Sequence, residues 1–229
     1  MVIRAQNVVH MLLGDIRVPE GRPHAGTPVP VCGTVVRHPE GMVLVDTGLP
    51  GPHPEVDPVF RPYRRPLEEA LASVDGRLED VVAVVNCHLH FDHSGGNPRF
   101  PGLPIHVQRQ ELRAARQPDY TLPDVVDFPG ATFIEHDGAG EVLPGIRLLP
   151  TPGHTAGHQS TIVETDEGTI VLAGQAVYTG AEWAGSTDEL ESGLDSAVDP
   201  VAYGRSIALL KELDPVRVMV GHDPVPWER

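Results

Sequence analysis

Val81-Val82-Ala83-Val84-Val85-Asn86-Cys87-His88-Leu89-His90-Phe91-Asp92-His93 runs from five apolar residues into a hexapeptide in which four of six side chains are of metal-ligating type. The apolar run is short and rich in β-branched residues, which predicts a buried strand rather than a helix. Three His and one Asp at fixed places in six arise by chance roughly twice in a thousand chains of this length and composition. Imidazole nitrogens with some carboxylate suit a borderline divalent ion such as Zn2+. A sharp loop after the strand aims His88 and His90 into one cavity, while Asp92 and His93 point to a neighbouring position. One hexapeptide then serves two metal ions.

Working outward, further ligand-type residues stand just beyond other apolar runs. His154 lies in Thr151-Pro152-Gly153-His154-Thr155 after Ile146–Leu149, and His222 lies in Gly221-His222-Asp223 after Val216–Val220. Met42–Val45 and Thr169–Ala173 also predict buried strands, with weaker signals at Val31–Arg37, Ile105–Val107, Thr132–Ile134 and Ser160–Glu164. When several strand ends each carry such a residue, a shared site along one sheet edge is the economical explanation. Helices are predicted at Leu67–Val74, behind Pro66, and at Gln108–Gln117. A third runs from Asp199 as N-cap, with Pro200 at N1, to about Leu213, burying Val201, Ile207, Leu210 and Leu213. Strands with interspersed helices indicate sheets with helices packed outside them, an α/β (α+β) class. No repeat or linker divides the chain, so residues 1–229 are expected to form one domain.

Charge narrows the partners. The 32 acidic and 17 basic side chains leave −15, which disfavours nucleic acid and anionic membrane surfaces. No apolar run approaches the ~18 residues needed to span a bilayer, and residues 1–7 lack a signal-peptide core. Cys32 and Cys87 make no disulfide framework, so the expected location is the cytoplasm. Two stretches read as long loops of functional type. Leu49–Pro66 holds six prolines; Thr179–Val198 carries Glu182, Asp188, Glu189, Glu191 and Asp195 with no Lys or Arg. An acidic border favours a neutral small-molecule substrate over a strongly anionic one.

The segments His88-x-His90-x-Asp92-His93 and Thr151-Pro152-Gly153-His154 resemble the metallo-β-lactamase superfamily. Pro30-Val31-x-Gly33, Val45-Asp46-Thr47-Gly48, His154-x-x-Gly157-His158-Gln159-Ser160, Tyr178 and Gly221-His222-Asp223 are most similar to its N-acyl-homoserine lactonase family. That resemblance implies a four-layer αβ/βα sandwich with a two-metal site between the sheets. It implies that His88, His90 and His154 hold one ion and Asp92, His93 and His222 the other. Two Zn2+ are the implied cofactors, other divalent metals staying open. The implied activity is opening of lactones, or cleavage of related esters, by metal-bound hydroxide, with quorum quenching as the biological role. In the family a carboxylate bridges the two ions; here that position holds Gln175, a neutral group and a poor bridge. Weakened occupancy of at least one site is expected. One ion is the alternative to two, unless Glu182 or another loop acid substitutes.

The same resemblance gives Tyr178 the role of stabilising the developing oxyanion, and gives Asp92 a second role as proton shuttle. Tyr178 as a packing residue at the rim stays open. Asp46 is expected either to orient a ligand His or merely to form the turn before Gly48. Strand alternation points Cys87 away from His88 and predicts an inert buried thiol. His158 is read as structural, Phe91 as packing beneath the loop, and His10, His24, His38, His53, His106 and His136 as surface or packing residues. Two rivals to the lactonase reading remain: a mononuclear enzyme acting on a thioester or biosynthetic intermediate, and a degenerate binding protein without hydrolysis.

Overall fold

The computed structural model describes residues 2–188 and 192–229; Glu189 and Glu191 of the acidic stretch lie outside the described residues. Seven strands form one sheet: β1 (Val8–Arg17), β2 (Pro28–His38), β3 (Gly41–Val45), β4 (Tyr63–Arg64), β5 (Val81–Val85), β6 (Pro104–Gln108) and β7 (Thr132–His136), in the order β4-β1-β2-β3-β5-β6-β7. Six form the other: β8 (Gly140–Leu143), β9 (Ile146–Pro150), β10 (Gln159–Thr165), β11 (Gly168–Gly174), β12 (Arg217–Val220) and β13 (Asp223–Glu228), in the order β13-β12-β11-β10-β9-β8. Helices α1 (Asp57–Phe60), α2 (Leu67–Ala72), α3 (Phe91–Ser94), α4 (Arg109–Ala115), α5 (Gly180–Trp183) and α6 (Pro200–Glu212) lie between these strands in the chain.

The apolar runs lack a polar face because both faces of each sheet are covered. In β3, Val43 and Val45 meet Ile146, Leu148, Ile170, Leu172 and Met219 of the second sheet, while Met42 and Leu44 turn outward against Leu67, Ala70 and Leu71. β11 divides likewise: Ile170 and Leu172 face between the sheets, and Val171 and Ala173 pack outward with Trp183 and Leu210. Helix, sheet, sheet, helix is therefore the layer order, in agreement with the sandwich expected.

Differences from the sequence reading have physical causes. β1 carried no clean alternation because its register shifts between Leu12 and Gly14, and such a bulge moves the following side chains to the other face. Leu49–Pro66 is interrupted by α1 and β4 rather than being one loop. α6 starts as expected, with the Asp199 carboxylate accepting from the Val201 and Ala202 amides. Val201, expected inside, is exposed; the buried face is Tyr203, Ser206 and Leu210.

Candidate metal centre

β3 and β5 run parallel, as do β11 and β12, so their carboxyl ends bring Asp46, residues 86–93, Gln175 and His222 to one edge. The loop after β9 adds His154 from the same side. Here close approach demands glycine: a Cβ on Gly153 (φ 144°) would stand 2.3 Å from Tyr203 Cα, and one on Gly157 would stand 2.2 Å from the Glu111 nitrogen. The His154 loop is thus wedged between α6 and α4.

Six of the expected site residues converge as two triads. His88 Nε2 lies 2.9 Å from His90 Nδ1, and His154 Nε2 lies 3.2 Å from that same atom. His93 Nε2 lies 3.4 Å from His222 Nε2, with Asp92 Oδ2 3.8 and 3.9 Å from the two. One donor atom from each member of a triad falls within 4.8 Å of the others. The rings of His88 and His93 are 4.2 Å apart, so the triads adjoin.

What stands behind each ring completes the donor set. His222 Nδ1–H donates to the Pro30 carbonyl at 2.8 Å, and His93 Nδ1–H to Asp46 Oδ2 at 2.9 Å. Both bonds leave Nε2 free to face the cluster. Asp46 also accepts from the Cys87 amide at 2.9 Å, and it holds a left-handed backbone at φ 61°. Both expectations for Asp46, orienting group and turn residue, therefore coexist. Burial, then neighbouring imidazoles, drives the His88 pKa well below its ordinary value and that of His154 also far down. Burial likewise lowers His90 and His222 to about 4, although Asp92 opposes it in both. At neutral pH these rings are uncharged, the form that binds a metal. For His93 burial acts in the same direction, yet Asp92 and Asp46 outweigh it and raise the pKa. Burial opposes the charged form of Asp92, but His93, His222 and His90 keep its carboxyl below the ordinary value. Nitrogen and carboxylate donors in two compact sets, buried apart from half-buried His90, fit divalent metal ions.

Gln175 is buried beside the cluster; its amide donates to His158 Nε2 at 3.0 Å and its side chain hydrogen-bonds the His93 ring. The ring of Tyr178 lies 4.9 Å from that of His222, and burial, with Asp92, pushes its hydroxyl up to about 12. His158 has both ring nitrogens engaged, the other with Thr151 Oγ1 at 2.9 Å. Phe91 is half-buried and packs on Phe60 of α1, ring centroids 4.8 Å apart, and against the core cluster that includes Leu89.

Two expectations are corrected. Cys87 does not point away: β5 ends at Val85, alternation lapses, and Sγ lies 3.2 Å from His88 Nδ1. Glu182 cannot stand in as a bridge. Its carboxylate accepts from the Tyr178 amide (2.6 Å), the Tyr203 hydroxyl (2.7 Å), the Ser192 hydroxyl (2.7 Å) and the Gly193 amide (3.2 Å). Glu111, which no motif marked, plays a parallel part. It accepts from the Leu89 amide (2.8 Å), between His88 and His90, from Thr155 Oγ1 (2.7 Å), next to His154, and from the Tyr120 hydroxyl. The cavity of about 190 Å³ beside Gly95, Gly96, Arg64, Arg65 and Arg99 is lined by none of the cluster residues.

Comparison with known proteins agrees with this geometry. Residues 26–222 match the model of the metallo-beta-lactamase superfamily. The chain is 32% identical over 209 residues to an N-acyl homoserine lactonase of Bacillus cereus, covering 85% of this chain and 82% of that protein. It is 30% identical over 232 residues to the N-acyl homoserine lactonase AttM of Azorhizobium caulinodans, with coverages of 87% and 84%. A solved N-acyl homoserine lactone hydrolase, with the product N-hexanoyl-L-homoserine bound at its catalytic metal centre, superposes with a TM-score of 0.79 at 29% identity. That match covers 97% of this chain and 94% of the other.

Proposed function

The chain belongs to the metallo-β-lactamase superfamily, and from that premise we propose that it is a metal-dependent hydrolase that opens N-acyl-homoserine-lactone-type lactones. The observation that carries this reading is the convergence of six donors, in two adjoining triads, at the carboxyl ends of strands from both sheets. His88, His90 and His154 would hold one ion; Asp92, His93 and His222 would hold the other. When bound, divalent metal supplies Lewis acidity toward the carbonyl and makes water nucleophilic at neutral pH. Zn2+ suits the nitrogen-rich donors.

The protein's own groups do the rest. Tyr178, protonated up to about pH 12, keeps a hydroxyl that donates to the oxygen gaining charge as the ester bond is attacked. Asp92, ionised at neutral pH, can take a proton at a carboxylate oxygen and return it to the leaving alkoxide. The acidic stretch around Glu182, Asp188 and Asp195 favours a neutral substrate. The two buried, unpaired thiols support residence in a reducing compartment, the cytoplasm.

The ions are unequally held in this reading. Two divalent ions ~3.5 Å apart repel by about 19 kcal/mol at an effective dielectric near 20, and Gln175 contributes no charge against that. The half with Asp92 fills first and the other more weakly, which also keeps a mononuclear enzyme in view. The test pairs metal analysis of protein purified without chelators with hydrolysis of N-hexanoyl-homoserine lactone. His90→Ala is expected to abolish turnover, and retained turnover would sink the mechanism. Two equally tight metal equivalents would refute only the inequality.

A further inference from the structure

Cys87 is placed where the two halves of the cluster meet. Its Sγ lies 2.9 Å from Asp46 Oδ2, 3.2 Å from His88 Nδ1 and 3.4 Å from His93 Nδ1. All four residues are buried, none more than 2% exposed, so bulk solvent does not compete for these contacts. Hydrogen-bond bookkeeping then fixes the direction of each contact. Asp46 as a carboxylate only accepts, and its Oδ2 already takes the His93 Nδ1–H at 2.9 Å. The single thiol proton therefore goes to Asp46, and the sulfur lone pairs are left for the His88 Nδ1–H. In that tautomer His88 presents an unprotonated Nε2 toward His90 and His154.

We propose that Cys87 is a positioning residue of the metal centre, a relay through which Asp46 sets the tautomer and ring orientation of His88 as it directly sets those of His93. The inference rests on the reading of the cluster as a metal centre. It separates Cys87 from a packing thiol, which would be indifferent to proton direction, and from a metal ligand, which would have to lose its proton. It also means that a single carboxylate stands behind one ligand in each half: directly in one, through sulfur in the other. Outer partners of this kind typically change metal affinity by about 10–100-fold when removed.

The experiment compares the full-length protein with Cys87→Ala and Cys87→Ser, each stripped of metal and titrated with Co2+ and Zn2+ against a chromophoric chelator. Cys87→Ala is expected to weaken binding by about tenfold or more, and Cys87→Ser, whose hydroxyl can donate to Asp46 and accept from His88, to restore most of it. The Co2+ ligand-field bands should shift in Cys87→Ala and return in Cys87→Ser. No sulfur-to-metal charge-transfer band should appear in the parent. Unchanged affinity and bands in Cys87→Ala would overturn the proposal. So would equal losses in both variants accompanied by equal falls in the metal-free thermal midpoint, which is the signature of packing alone. A charge-transfer band that disappears in Cys87→Ala would make Cys87 a ligand instead. A parent that binds neither ion would bring down the metal-centre reading together with this one.

Discussion

Around His93 stand two carboxylates, Asp46 2.9 Å from its Nδ1 and Asp92 3.8 Å from its Nε2, whereas His88 is met by a thiol and by the rings of His90, His154 and His93. The same residue type responds in opposite directions. His93 has a raised pKa, while His88 and His154 are driven far down, burial acting first and the neighbouring rings adding to it. Imidazole count therefore says little about the charge a site presents to an ion. The carboxylates distinguish one triad, which offsets positive charge, from another that supplies only neutral donors. Gln175, hydrogen-bonded to the His93 ring, adds no charge to either triad and leaves the difference standing.

The strongest challenge to this comparison is Asp92→Asn. It removes the carboxylate from its triad, and the affinity for the tighter ion should fall by more than about a hundredfold, beyond the usual effect of an outer partner. Lactone turnover should drop by roughly 10²–10⁴ if Asp92 also moves the proton. His154→Asn, in the neutral triad, should leave the tighter ion nearly unaffected; equal losses in the two variants would erase the distinction. A smaller effect, of opposite sign, is expected from Gln175→Asp. A negative charge there should raise affinity for the weaker ion by about tenfold or more and bring metal content toward two per chain. Unaltered content, measured by elemental analysis, would mean that charge at residue 175 does not control the second ion.

The residues that make this contrast differ in how readily the sequence shows them. His88, His90, Asp92 and His93 announce themselves because ligand types crowd one short segment behind a β-branched run. His154 and His222 follow from their places after apolar runs. The layers were readable in β3 and β11 because uninterrupted apolar residues require cover on both faces. β1 was not, since its bulge breaks the two-residue period, nor was β13, whose Pro224 and Pro226 suit only a sheet edge. Glu111 and Glu182 were invisible as supports. Glu111 accepts the Leu89 amide from a loop 22 residues away, and Glu182 gathers donors from Tyr178 to Tyr203; only the folded chain shows which groups those are. Cys87 escapes the strand pattern because alternation holds only to the end of β5 at Val85, two residues before it.

His106 and His136 offer a control with no carboxylate and no third donor. Their ring nitrogens approach to 2.9 Å, as do those of His88 and His90, yet among the described residues they join no three-donor group. Burial, then His136, lowers His106 from its ordinary 6.5 to about 4. The unfolded chain consequently takes up a proton below pH 6.5 that the folded chain refuses. Stability is fully present above that pH, falls as pH drops from 6.5 toward 4, and levels off once the folded ring is also protonated. One proton limits the slope to about 1.4 kcal/mol per pH unit, and solvent screening at this partly open pair makes it smaller. Urea unfolding of the parent and of His106→Gln across this range should give curves that converge as pH falls, because the parent loses the stability that the variant never linked to a proton. Parallel curves would show that two imidazoles in contact do not by themselves resist protonation. The low pKa values of the neutral triad would then need a cause other than burial and ring contact.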